Sequence, residues 1–209
     1  MSVYLFDLDG TLVDSMPIYG ATMVRFLDEN YIQYGEDIRE IVTPLGYRGT
    51  AEYFKTLGVT MSIEEIVKSL KTAIQKEYEE NISAKKNVIS VLTILKNRGD
   101  RLNVLSASPF EFIACCLKRL KILDLFENVW SSDDFCMKKT DSEIYKQAAK
   151  RLGVRTQDIV FLDDNYMALK TAKSAGVRVY GVYDETSKNH EQEIKAITEK
   201  YIEDFTALL

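Results

Sequence analysis

The feature that most narrows what this chain can fold into lies at its start. Val3-Tyr4-Leu5-Phe6 is an apolar run rich in strand formers, and it ends in two acids two residues apart, Asp7 and Asp9, followed at once by Gly10-Thr11. Side chains alternate along a strand, so Asp7 and Asp9 leave its end on one side. Gly10 can take a backbone conformation that other residues resist, which permits a tight turn directly behind the pair. Two adjacent acids oppose each other's ionisation unless a cation or a shared proton intervenes. The stretch therefore reads as a metal-assisted site, with a solvated strand end as the plain alternative.

Composition excludes several other classes. With 46% hydrophobic and 28% charged residues over 209 positions, the chain can bury a sizeable core as one domain, or one domain with a large insertion. A net charge of −5 gives no reason to expect nucleic acid or an acidic membrane as partner. There is no apolar run long enough to span a bilayer, and Asp7 would interrupt a signal peptide. Cys115, Cys116 and Cys136 suggest neither a disulfide framework nor a zinc spacing, so a reducing cytoplasm is the expected compartment. The single histidine, His190, excludes His-rich metal sites and argues against a Ser-His-Asp triad.

Along the chain the pattern changes from strand to helix after Ser15. Helical stripes run through residues 16–82, with Pro17 in a first turn, a break at Pro44-Leu45-Gly46, a stop at Gly58 and a capping box at Ser62-Ile63-Glu64-Glu65. Residues 46–50, Gly46-Tyr47-Arg48-Gly49-Thr50, read as a loop between two helices. From Asn87 onward helices and strands alternate. Strands are expected at 101–106, 128–131, 158–162 and 177–183, with a short last one at 201–205. Further capping boxes are read at Ser108-Pro109-Phe110-Glu111 and Thr140-Asp141-Ser142-Glu143, and the polar residues 184–189 read as a mobile loop. Such alternation predicts an α/β fold whose parallel sheet is covered by helices on both faces. The expected division is a discontinuous α/β core over 1–15 and 83–209, interrupted by an all-α insertion over 16–82.

In open parallel sheets ligands bind beyond the carboxyl ends of the strands. Polar residues occupy four such ends here: Asp7 and Asp9, then Ser106, then Lys139 before a helix, then Asp163 and Asp164. Asp7-Leu8-Asp9-Gly10-Thr11-Leu12-Val13-Asp14-Ser15 closely resembles the first motif of the haloacid dehalogenase-like (HAD) superfamily, in its phosphatase and phosphomutase branch. Phe161-Leu162-Asp163-Asp164-Asn165 resembles the fourth motif. Lys139-Thr140-Asp141-Ser142-Glu143-Ile144-Tyr145 resembles the third, which often reads Lys-Pro-x-Pro-x-x-Tyr; both prolines are absent here, and Lys138 competes with Lys139 for the register.

The resemblance implies a Rossmann-like core with a helical cap and a magnesium-dependent reaction. Asp7 would be the nucleophile that forms an aspartyl-phosphate, and Asp9 the acid that protonates the leaving group and then deprotonates water. Magnesium would be held by Asp7, the Asp9 carbonyl and Asp164, with Asp163 close by. Thr11, Ser106, Ala107 and Lys139 would bind the phosphoryl oxygens. Asp9 itself favours phosphate chemistry over dehalogenation, since an alkoxide leaving group needs a proton and a halide does not. Arg48, between two glycines, resembles a cap residue that binds a second anionic group of the substrate, and its planar fork suits one; an ordinary surface arginine is the alternative. Lys76, Lys85 and Lys86 are read as solvated, and Lys86-Asn87 replaces the family's usual Pro-Gly at the return from the cap. The implied partner is a small phosphomonoester, and the expected assembly a monomer or weak homodimer. Beside a phosphoglycolate-phosphatase-like hydrolase stand a β-phosphoglucomutase-like mutase and, more remotely, a non-enzymatic phospho-acceptor switch.

Overall fold

The computed structural model describes residues 1–209, the side chain of residue 44 excepted. It divides into two units, Met1–Asp14 with Ser83–Leu209 and Ser15–Ile82.

Among the described residues, the first unit is built on six parallel strands: β1 (Val3–Phe6), β2 (Arg101–Ser106), β3 (Asn128–Ser131), β4 (Ile159–Asp163), β5 (Arg178–Val182) and β6 (Lys200–Ile202), in the spatial order β3-β2-β1-β4-β5-β6. This is the Rossmann-like order, in which the direction of winding reverses beside β1 and opens a crevice at the carboxyl ends. Because crossovers are right-handed, the reversal sends the connections of the two halves to opposite faces. The strand residues agree with two covered faces: Val3, Leu5, Ile159 and Phe161 join Ile144, Ala148, Leu169 and Ala172 in one buried cluster. Phe6, one residue out of phase with Leu5, instead meets Phe126 and Phe205, each at 6.4 Å between ring centres. Strands buried on both sides read as continuous apolar runs, and all five residues of β4 are buried.

Register positions the site. Phe6 lies opposite Val104 of β2 and Leu162 of β4, so the residues after Phe6 emerge beside Ser106 and the Asp163-Asp164 pair. The chain leaves this unit and rejoins it at a single place. Val13 bridges Ala84 in antiparallel fashion, the Asp14 amide donates to the Ser83 carbonyl at 2.9 Å, and the Lys85 amide donates to the Leu12 carbonyl at 3.0 Å. Next to it Asn87 adopts φ +63°, a left-handed conformation asparagine tolerates, and its side-chain amide donates to Asp204 at 2.9 Å. Helices of this unit are α5 (Val88–Asn97), α6 (Phe110–Arg119), α7 (Ser142–Leu152), α8 (Tyr166–Ser174) and α9 (Glu191–Ile197), after α1–α4 of the inserted unit.

The second unit is helical: α1 (Met16–Glu29), α2 (Ile38–Val42), α3 (Gly46–Thr56) and α4 (Ile63–Glu80). Its core brings together Met23, Leu27, Phe54, Ile66, Leu70 and Ile74, all 0–1% exposed, and Phe26 stacks on Phe54 at 5.6 Å. Each such side chain contributes about 1.5–3 kcal/mol when fully buried. The Ser62–Glu65 capping box opens α4 as expected: the Glu65 amide donates to the Ser62 hydroxyl, and the Ser62 amide to the Glu65 carboxylate.

Several local expectations are corrected. Residues 46–50 are not a loop, because Gly46 at φ +64° makes the change of direction alone and α3 starts there. Arg48 thus stands in a helical first turn, paired with Glu52 at 3.2 Å and Glu64 at 3.9 Å. Residues 185–190 form a 3-10 helix rather than a loop, capped by Asp184, which accepts from the Thr186 amide at 3.0 Å. Asp184 is buried, and Lys85 reaches it at 2.8 Å while donating to the Tyr183 carbonyl at 2.6 Å, so Lys85 is no solvated lysine. The last strand ends at Ile202, and Phe205 belongs to a terminal 3-10 turn. No helix among the described residues is long and apolar enough to cross a membrane.

Candidate active site

The site begins with the turn behind β1. The Leu8 carbonyl accepts from the amides of Thr11, Leu12 and Val13 at 3.3, 2.8 and 3.0 Å, winding the chain tightly after Asp9. Gly10 sits in this turn at φ +73°, and a Cβ placed on it would lie 2.7–2.8 Å from the Asp164 carboxylate. Both the backbone angle and the space exclude a side chain. The Asp7 amide donates to the Leu162 carbonyl at 2.9 Å, which ties the first acid to the strand that carries Asp163 and Asp164.

Asp7, Asp163 and Asp164, all buried, each bring a carboxylate oxygen within 4.8 Å of one another. Lys139, from the turn ahead of α7, enters this group with its ammonium 2.7 Å from both Asp7 Oδ1 and Asp163 Oδ2. Lys138 is exposed, so the geometry places Lys139 among the acids. The ammonium is shared by the two acids: it donates to Asp163 Oδ2 and pairs closely with the buried Asp7 Oδ1. Asp163 is fully engaged, by Lys139 on one oxygen and by the Asn165 amide at 2.7 Å on the other. Thr11 donates to Asp164 Oδ1 at 3.3 Å.

These placements govern protonation. Burial pushes the Asp7 carboxyl up to about 8; Lys139 opposes this, while Asp163 and Asp9 reinforce it. Asp164 is raised well above the ordinary carboxylate range by burial, then by Asp163, Asp7 and Asp184. Burial alone would lower Lys139, but Asp163 and Asp7 outweigh it and hold the ammonium charged. A single fixed cation thus faces three buried acids, and positive charge is in deficit.

Asp9 stands apart from that cluster. Its Oδ2 accepts from Ser108 Oγ at 2.6 Å and from Ser106 Oγ at 3.4 Å, and the Ser108 amide in turn donates to Ser106 Oγ at 3.1 Å. Ala107 lies exposed between the two serines. Ser108 is therefore not the cap of α6 that its spacing to Glu111 predicts: the helix is entered through Pro109, and the Ser108 hydroxyl turns to Asp9. Likewise Asp141, not Thr140, caps α7 by accepting from the Glu143 amide at 2.9 Å.

A family model described as haloacid dehalogenase-like hydrolase matches residues 4–182, a span that includes Asp7, Asp9, Ser106, Ser108, Lys139, Asp163 and Asp164. The chain belongs to the haloacid dehalogenase-like hydrolase family. A phosphorylated carbohydrates phosphatase of Thermotoga maritima is 27% identical over 184 residues, covering 87% of this chain and 85% of that protein. A phosphoglycolate phosphatase of Escherichia coli is 29% identical over 199 residues, covering 85% and 79%. Among solved structures, an HAD hydrolase of family IA, variant 3, from Entamoeba histolytica superposes with a TM-score of 0.84 over 100% of this chain and 96% of its own, at 18% identity.

As an HAD hydrolase the chain has the makings of a divalent-cation site. The donor set is all carboxylate oxygen, three buried acids face the single Lys139 ammonium, and Gly10 lets the backbone of the first turn lie directly against the Asp164 carboxylate. Hard cations prefer such ligands. Three contributors have a role that does not read from the sequence. Ser108 reads there as a helix cap and, in Ser106-Ala107-Ser108, as similar to a mutase's second motif, with no contact to Asp9 expected. Tyr145 served only to fix the motif's register, yet its buried hydroxyl lies 2.9 Å from the Lys139 carbonyl and 3.1 Å from that of Ala168. It ties the lysine's turn to α8 where the family's prolines are missing. Asp184, whose charge reaches Asp164, lay in a stretch with no signal beyond its polarity.

Proposed function

We propose that this HAD hydrolase is a magnesium-dependent phosphatase of small phosphomonoesters, working through an aspartyl-phosphate on Asp7. The observation that carries the reading is the division of labour between the two acids of the first motif. Asp7 is buried in the acid cluster with the Lys139 ammonium 2.7 Å from its Oδ1, while Asp9, two residues on, is held by hydroxyls outside the carboxylate cluster.

Magnesium, held by Asp7, Asp164 and the Asp9 carbonyl with Asp163 beside them, would offset the charge of the attacking carboxylate and polarise a phosphoryl oxygen. The remaining steps belong to the chain's own residues. Asp7 attacks phosphorus as the bond from phosphorus to the leaving oxygen breaks, and Asp9 gives that oxygen its proton. Asp9 then takes a proton from water, which attacks the phosphorus of the aspartyl-phosphate, releases inorganic phosphate and restores Asp7. Lys139, already between two carboxylates, neutralises the phosphoryl oxygens as charge spreads over them, with Thr11, Ser106 and the Ala107 backbone as further ligands. Phosphatase relatives named for phosphorylated carbohydrates and phosphoglycolate support a substrate that is a small organic phosphate. Arg48 is assigned to a second anionic group of that substrate; such a substrate would have to draw the guanidinium from Glu52 and Glu64.

The test is inorganic phosphate release from phosphoglycolate and a set of hexose phosphates, with magnesium and with EDTA. Release that needs the metal is expected. No release from any ester, or interconversion of sugar phosphate isomers with no free phosphate, overturns the reading, the second outcome in favour of a mutase.

A further inference from the structure

The hydroxyl of Ser108 makes the shortest of the polar contacts described around Asp9. At 2.6 Å from Oδ2 it is a short O–H···O hydrogen bond. The surrounding backbone aims it. Pro109, with φ fixed at −55°, follows directly and opens α6, so the residue before it has little freedom. The Ser108 amide donates to Ser106 Oγ at 3.1 Å, closing a small loop around Ala107 and fixing Ser108 from its own backbone. Ser106 lies farther from Asp9, at 3.4 Å, and is the end residue of β2. The two serines thus differ in kind: one is the strand-end hydroxyl, the other sits on a rigid turn and grips the acid.

We propose that Ser108 is a positioning residue for proton transfer, holding Asp9 in the orientation from which it protonates the leaving oxygen; the inference rests on the phosphatase reading above. General acids contribute only when the proton lies within hydrogen-bond reach of its acceptor, and a misplacement of about 1 Å can cost a hundredfold. Ser108 touches neither phosphorus nor the attacking oxygen in this role. Its effect must then depend on how much the leaving group needs a proton, which no general loosening of the fold would reproduce.

The experiment compares kcat/KM, which covers the steps up to departure of the leaving group, for an alkyl phosphate and for p-nitrophenyl phosphate, whose phenolate leaves without a proton. For Ser108→Ala, a fall of about 10- to 100-fold is expected with the alkyl ester and less than about threefold with the aryl ester. Ser108→Thr, which keeps the hydroxyl, should recover most of the alkyl rate. An equal fall with both esters, or none with either, overturns the role of Ser108. If the unsubstituted enzyme hydrolyses neither ester nor any other phosphomonoester, it is the phosphatase reading that fails.

Discussion

Each unit of this protein buries acids, and the two units treat them in opposite ways. In the helical unit Glu77 is 8% exposed; its carboxylate accepts from Asn81 Nδ2 at 2.6 Å and from Arg25 at 2.8 Å, and these partners hold it below the ordinary carboxylate range. In the sheet unit Asp7 is 4% exposed and Asp164 7%, and both are pushed upward because burial is not matched by partners. A buried acid with its hydrogen bonds satisfied is part of the scaffold. A buried acid left short of positive charge weakens the fold, and its position makes sense only if something else supplies that charge.

The contrast can be broken most severely at Asp7. Asp7→Asn should reduce phosphate release by at least about a thousandfold while leaving the circular dichroism spectrum unchanged; appreciable turnover would remove Asp7 as nucleophile. Next in size is the pH dependence of stability without metal. The Asp7 value of about 8 lies above the 3.8 of a free carboxyl, so the folded state holds this proton more tightly. That contribution is whole below the free value, declines as the pH climbs, and is gone above about 8. In EDTA the melting temperature should therefore fall between about pH 5 and pH 9, less steeply in Asp7→Asn, and magnesium should raise it more at the alkaline end. A flat profile, or one that rises, would mean that the cluster is compensated after all. Glu77 supplies the smallest effect and the opposite sign. Its lowered value gives stability that is present above the ordinary glutamate range and lost as the pH falls through the folded value. Glu77→Gln should cost about 1 kcal/mol in urea unfolding at neutral pH and less in acid.

Much of the sheet unit was legible because parallel strands buried on both faces leave uninterrupted apolar runs, as in Ile159-Val160-Phe161-Leu162, and because the acids stand at their ends. What could not be read was where a polar side chain with two possible partners would turn. Ser108 has the spacing of a cap to Glu111, yet its hydroxyl meets Asp9, far away in sequence, and only the register of β1 with β2 brings the two together. Asp141 competes with Thr140 for one helix end, and a one-residue shift is invisible to spacing. Lys85 and Asp184 looked solvated because each is flanked by polar residues; their pairing comes from the crossing near Ala84 meeting the end of β5. In the helical unit the start of α3 was missed because a glycine that ends one helix can equally begin the next.

The paired crossing at Val13 and Ala84 has a consequence for how such a chain can change. Residues bonded this way are ordinarily joined by a tight turn of about two residues. The closure entropy of a flexible connection grows only slowly with its length, and an insertion that packs its own core carries its own stability. To the sheet the connection is a socket with fixed contacts, indifferent to what is plugged into it. A lineage can exchange the inserted unit there, for a short turn or for another helical cassette, without rebuilding the strand ends that carry the acids.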